Sequence, residues 1–168
     1  RNSSETQLFP KRDLVQELPL SGITPENQVL ALIAHDQMNL EMCCFVVAHA
    51  RQLFNEFDYI LATDVTGEWV KKFALAAGRS DEEISKVRCC LSGSYGGYIQ
   101  IAAAVVKKLC RKVIFLQDPF TSHAHETDIR LFEQAVLLFE RAAVHGVEIE
   151  LATNIASAKA ILGYRELS

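Results

Sequence analysis

Five short apolar runs, each followed by a stretch with helical spacing, constrain this chain more than any other feature. The runs are VLALIA (29–34), DYILAT (58–63), VRCCLSG (87–93), KVIFLQD (112–118) and VEIELAT (147–153). Four to seven apolar-rich residues with little alternation are the pattern of strands covered on both faces. Between them lie NLEMCCFVVAHARQLFNEF (39–57), GEWVKKFALAAG (67–78), GGYIQIAAAVVKKLC (96–110) and DIRLFEQAVLLFERAAVHG (128–146), with IASAKAILGY (155–164) at the end. Apolar residues recur in these at three- and four-residue steps, so they predict helices. The acidic RSDEEISK (79–86) predicts a further helical turn capped by Ser80 or Asp81. Strand and helix in strict alternation predict a single three-layer α/β domain, with a five-stranded, mainly parallel sheet and helices on both faces.

That domain spans 29–168. Residues 1–28 are polar, carry Pro10, Pro19 and Pro25, and show no steady period. They read as an amino-terminal arm or linker, with a short helix near Lys11–Glu17, and as a place for a protein partner. The first residue is Arg1 rather than Met, which reads as a fragment or a processed product.

Composition removes several function classes. The chain has 168 residues, 49% of them hydrophobic and 23% charged, which suits a globular domain with a real core. A net charge of −4 argues against nucleic acid or an anionic membrane surface as partner. No apolar run reaches membrane-spanning length, and no leader pattern is visible, so the expected location is cytoplasmic. The five cysteines are Cys43-Cys44, Cys89-Cys90 and Cys110. Neighbouring cysteines rarely bridge, and no metal-ligand spacing occurs among them, so they read as buried thiols of a reducing compartment. A redox-sensing pair is the sharper alternative.

In a doubly wound sheet, ligands sit outside the carboxyl ends of the strands. The candidate site is therefore the set of residues at those ends. It comprises His35-Asp36 after the first strand, Thr63 to Gly67 after the second and Ser92 to Gly97 after the third. After the fourth come Asp118-Pro119, Thr121, Ser122, His123, His125 and Asp128, and after the fifth Thr153-Asn154. The hydroxyls and glycines opening the second and third helices are suited to an anion, because helix starts present unpaired N–H groups and a positive dipole end. Many of these residues also serve as ordinary helix caps and turns. No GxGxxG, Walker A or GxSxG pattern is present, so no dinucleotide, NTP or serine nucleophile is indicated. His123, His125 and Asp128 lack the further ligands of a zinc site, so no metal and no cofactor is expected.

Five motifs in order resemble one family. They are ALIAHD (31–36), AT-x-x-TG (62–67), LSG-x-x-GG-x-x-Q (91–100), DP (118–119) with H-x-x-D (125–128), and LATN-x-A (151–156). The stretch from Val29 to Tyr164 resembles the methylglyoxal-synthase-like domain. The resemblance implies a lyase acting on dihydroxyacetone phosphate. A carboxylate takes the proton alpha to the carbonyl, an enediolate forms and phosphate leaves. It implies a homo-oligomer, a hexamer. It also implies roles: His35, Asp36, Asp118, His125 and Asp128 in catalysis, with His125 the electrophile. Thr63, Thr66, Gly67, Ser92, Gly93, Ser94, Gly96, Gly97 and position 98 would line the phosphate and ligand site.

The departures fall on the chemistry. The family pattern SGPxGGDQQ is SGSYGGYIQ here, so Tyr98 stands in place of the base. A phenol with an ordinary pKa of about 10 is a poor base near neutrality. Asn39 replaces the phosphate-binding lysine, Val65 a threonine, and Asp64 a glycine; the family's basic carboxy-terminal tail has no counterpart before Ser168. The expectation is a divergent domain that binds a small anionic or phosphorylated metabolite with little or no synthase activity. Two alternatives stand beside it: an active synthase using Asp36, Asp118 or Asp128 as base, and an oligomeric scaffold that binds nothing.

Overall fold

The computed structural model describes residues 19–120, 126–141 and 149–163. Five strands form the sheet: β1 (Val29–Ala34), β2 (Tyr59–Ala62), β3 (Val87–Cys89), β4 (Lys112–Leu116) and β5 (Glu150–Ala152). Every pairing is parallel and the order is β3-β2-β1-β4-β5. The chain thus winds outward from β1 to β3, then crosses back to β4 and β5. That reversal puts the switch point between β1 and β4, the place where sheets of this kind commonly hold a ligand at the carboxyl edge. The expected fold class is borne out, with a wholly parallel sheet.

The helices are α1 (Asn39–Ala48), α2 (Ala50–Glu56), α3 (Asp64–Ala76), α4 (Asp81–Ser85), α5 (Gly97–Val106), α6 (Glu126–Arg141) and α7 (Ile155–Ile161). Alternate strand residues feed two cores, as the period of two requires. Leu30, Leu32, Ile60, Ile114 and Leu116 meet α1, α2, α3 and α7 through Met42, Val46, Leu53, Phe54, Val70 and Ala158. Ala31, Ile33, Leu61, Val113 and Phe115 meet α5 and α6 through Ile101, Ala104, Val105, Phe132 and Val136.

Several boundaries differ from the sequence reading. The predicted helix over 39–57 is broken at His49, whose ring nitrogen Nδ1 bonds the Phe45 carbonyl at 2.8 Å. The imidazole also lies on the Phe45 ring, with centroids 4.5 Å apart. The AT-x-x-TG segment is mostly helix: α3 begins at Asp64, three residues early, so Thr66 and Gly67 belong to its first turn. Ser80 caps α4 as expected. Leu20 and Ile23 pack against the α5–α6 core, and Arg88 bonds the carbonyls of Pro19 and Ser21 at 3.2 and 2.5 Å. Residues 1–18, including the predicted helix near Lys11, lie outside the described residues.

The cysteines divide. Cys43, Cys90 and Cys110 are buried, and burial pushes their thiols up to about 11, 12 and 12. Cys44 is exposed and Cys89 half-buried, against the expectation of five buried thiols. Strand β3 lies at the sheet edge, and Cys44 is on the outer side of α1. Among the described residues no helix is long and apolar enough to cross a membrane.

Candidate functional site at the sheet edge

His35 follows β1 directly at the switch point. Its backbone N–H donates to Leu116 O at 3.1 Å, continuing the β1–β4 ladder. The Asp118 N–H donates to His35 Nδ1 at 2.9 Å. A backbone amide can only donate, so Nδ1 is an acceptor, and the neutral ring carries its proton on Nε2. The ring stands edge-on to Phe115, with centroids 5.1 Å apart, and His35 is buried. Strand pairing, one amide and one aromatic ring therefore set both the tautomer and the aim of this histidine. Asp118 itself sits in an Asp-Pro turn, where a carboxylate oxygen accepts the Phe120 N–H at 3.0 Å. Asp36 lies in the 3-10 turn after His35 and is exposed.

The second group is a buried relay of short polar side chains. Thr63 Oγ1 donates to Thr66 Oγ1 at 3.3 Å, and Thr66 Oγ1 donates to Asn39 Oδ1 at 2.8 Å. Asn39 Nδ2 reaches Asp36 O at 3.4 Å. Asn39, Thr63 and Thr66 are all buried, with Thr66 only 1% exposed. Asn39 thus ties α1 to α3. Gly67 is a packing position: a Cβ there would stand 2.5 Å from Cys89 Sγ and 3.3 Å from Ala62 Cβ. Asp64 and Val65 are exposed on the first turn of α3.

The glycine-rich turn is held by its own backbone. A 3-10 turn spans Gly93–Tyr95, Gly96 takes a left-handed φ of 98°, and α5 starts at Gly97. A Cβ at Gly97 would lie 1.9 Å from the Leu91 carbonyl oxygen, which no side chain can satisfy. Leu91 in turn receives the Gln100 side chain on its N–H at 2.7 Å. The Asp64 N–H donates to Leu91 O at 3.4 Å, which joins this turn to the start of α3.

Tyr98 points inward. It is 7% exposed and belongs to the α5–α6 core. Its ring centroid is 5.9 Å from Phe115 and 6.4 Å from Phe132. It lies across Gly93 so closely that a Cβ there would fall 2.4 Å from Tyr98 Cε2. Phe115 therefore carries His35 and Tyr98 together. Sequence reasoning missed this phenylalanine because a buried strand position looks like any other.

The sequence-based site residues fall into three groups. His35, Asp118, Gly93 and Tyr98 gather around Phe115 or its strand end; Thr63 and Thr66 are joined through Asn39. Gly96, Gly97 and Gly67 shape or pack the backbone, and Ser92 precedes the turn. His125, with Thr121, Ser122 and His123, lies outside the described residues; Ser94 and Asp128 are placed only by their backbone, Asp128 in the first turn of α6. Asn154 is used up at home: its side chain accepts the Ser157 N–H at 2.8 Å, and Ser157 Oγ accepts the Asn154 N–H at 3.2 Å. Among the described residues no three His, Cys, Asp or Glu side chains gather so as to hold a metal ion.

Three comparisons place this geometry among known proteins. No protein-family profile matches the chain. A methylglyoxal synthase of Thermus thermophilus is 36% identical over 137 residues, 82% of this chain and 94% of that protein. The methylglyoxal synthase of a Thermoanaerobacter species is 38% identical over 133 residues, 79% of this chain and 86% of its own length. The crystal structure of methylglyoxal synthase from Elizabethkingia anophelis superposes with a TM-score of 0.63 at 26% identity, covering 83% of this chain and 80% of that one. Identity at that level across nearly the whole length of the relatives, on the same fold, shows that this chain is a member of the methylglyoxal synthase family.

Proposed function

We propose that the chain binds a small anionic or phosphorylated metabolite at the carboxyl edge of its sheet and has little or no synthase activity. The observation that carries this reading is the placement of Tyr98. The group at the family's base position is a phenol folded into the core over Gly93, against Phe115 and Phe132. Such a group neither accepts a proton readily near neutrality nor leaves room for a substrate carbon beside it. Asn39 supports the same view, since its amide is engaged by Thr66 and Asp36 O and it brings no positive charge. Asp64 adds a carboxylate on the first turn of α3, so a ligand with less negative charge than a phosphate dianion fits better.

Binding itself is supported by the helix starts. The turn after His35 and the starts of α3 and α5 carry no side-chain cap. Their dipole ends favour an anion there. The family resemblance adds a homo-oligomeric state and a catalytic role for His125.

The test is incubation of the purified chain with dihydroxyacetone phosphate, reading aldehyde and inorganic phosphate. The expected result is no turnover above background, together with a raised melting temperature in the presence of one or more small anionic metabolites. Turnover that survives purification and is lost on Asp118→Asn or Asp36→Asn would reject the reading in favour of an active synthase. One observation favours that second reading: His35 is fixed as an Nε2–H donor, the form that polarises a carbonyl. A flat screen with no turnover would leave the fold as an assembly module.

A further inference from the structure

Arg88 is a charged residue on the inward face of an edge strand. It is the middle residue of β3 and pairs in register with Leu61, whose side chain lies in the α5–α6 core. Register partners in a parallel pair point to the same face, so the arginine is aimed at the margin of that core. Its guanidinium lies over the Tyr59 ring, with Cζ 4.1 Å from the centroid, and Nη1 donates to the carbonyls of both Pro19 and Ser21. The segment 19–27 that receives it is built from two turns of its own. Gly22, at a φ of 74°, lets the Ile23 N–H reach Leu20 O at 3.2 Å. The Asn27 N–H reaches Thr24 O at 3.1 Å, and the Thr24 N–H reaches Asn27 Oδ1 at 2.9 Å. Among the described residues, the backbone-to-backbone bonds of 19–27 all stay inside it. Side chains tie it to the rest of the domain. Arg88 holds one end, and at the other an Asp58 carboxylate oxygen accepts from Asn27 Nδ2 at 3.4 Å and from the Gln28 N–H at 2.8 Å. Between them Leu20 and Ile23 pack against the α5–α6 core.

We propose that 19–27 is a strap that opens as a unit while the sheet stays folded, and that Arg88 is the clasp that holds it shut. A segment opens at less than the cost of global unfolding when few buried contacts and no ladder bonds hold it. Here no ladder bond ties the strap to the sheet among the described residues, and of its two apolar contacts only Ile23 is buried. The bonds from Arg88 are then the strongest tie, because a charged donor bonds a carbonyl more strongly than a neutral one does. Tyr59 completes the clasp by holding the guanidinium over its ring. Residues 1–18 join the domain through this strap, so anything that engages them acts on the Arg88 clasp before it acts on the sheet. Opening uncovers the margin of the α5–α6 core on which Leu20 and Ile23 rest. The device does not depend on what the metabolite site holds.

Native-state hydrogen exchange of the full chain, followed amide by amide, tests both parts. In the natural sequence the Ile23 and Asn27 amides are expected to be protected, but at least about tenfold less than those of Leu32 and Phe115 in β1 and β4. Arg88→Gln removes a contact of the closed strap and should lower protection of Ile23 and Asn27 by about tenfold. Tyr59→Leu should move them the same way by a smaller factor, and Tyr59→Phe, which keeps the ring, should leave them unchanged. Ile114→Val weakens the sheet core instead. It should lower protection of Leu32 and Phe115 by about fivefold and leave the strap amides as they were, because the sheet is intact when the strap is open. Strap amides that fall together with Leu32 and Phe115 in Ile114→Val would show that the strap opens only by global unfolding, and would overturn the proposal. So would an Ile23 amide without protection in the natural chain, or one indifferent to Arg88→Gln. Failure of Arg88→Gln to fold also overturns it, since the sheet cannot depend on the clasp of a separable strap.

Discussion

Helices α4 and α7 begin on Ser80 and Asn154, and each of these closes a reciprocal box with the residue three places on. Glu83 N–H reaches Ser80 Oγ at 3.2 Å while Ser80 N–H reaches Glu83 Oε2 at 2.9 Å, and Asn154 does the same with Ser157. Helices α3 and α5 begin on Thr63 and Gly96, which offer no such acceptor. Thr63 has a hydroxyl of the right kind but gives it to Thr66. The contrast shows where the chain is finished and where it is open. At α4 the helix needs only to start, so the sequence supplies its own cap. After β2 and β3, by contrast, no side chain caps the helix that follows. Asn154 marks the boundary, because β5 shares the sheet edge and yet the helix after it is sealed.

This contrast can be broken by substitution. The largest effect is expected at Gly97, where alanine meets the Leu91 carbonyl; loss of about 3 kcal/mol or more should appear in urea unfolding. Gly96→Ala next door has open space around it and only a left-handed φ to maintain, so about 1–2 kcal/mol is expected. Equal costs at the two positions would mean that the turn is not built on the close approach of α5 to Leu91. Tyr98→Ala should cost about 3 kcal/mol in the same measurement, as a large buried ring would. A cost near zero would place the ring outside the core. Thr66→Val leaves Asn39 Oδ1 without its donor and should cost about 1–2 kcal/mol.

Cap removal sharpens the comparison at the smaller end. Ser80→Ala and Asn154→Ala should each lower stability by about 1 kcal/mol. Neither should change the melting shift produced by inorganic phosphate or dihydroxyacetone phosphate. A shift that vanishes in Asn154→Ala would move the anion to α7 and undo the division between sealed and open starts.

The sheet was legible in the sequence because buried parallel strands are continuous apolar runs; VLALIA became β1 without a residue's error. The candidate site was legible as a set of positions, since each motif comes after a strand. Its internal wiring was not. Nothing in AT-x-x-TG says that the threonines will turn toward Asn39, because that depends on α3 starting at Asp64 and packing beside α1. The role of Phe115 was hidden for a similar reason: its contacts with His35, Tyr98 and Phe132 come from three separate segments. The break at His49 was hidden because histidine is compatible with a helix; it shows in that residue's backbone, at φ −112° and ψ 15°, with the ring bonded to Phe45 O beside it.

The ring of Tyr98 resting on Gly93 makes position 98 part of the architecture. An aspartate put there would leave a hollow between Phe115 and Phe132 and set a charge facing it. Such a substitution would therefore loosen the seat of α5 against α6, and it needs a second change to refill that space.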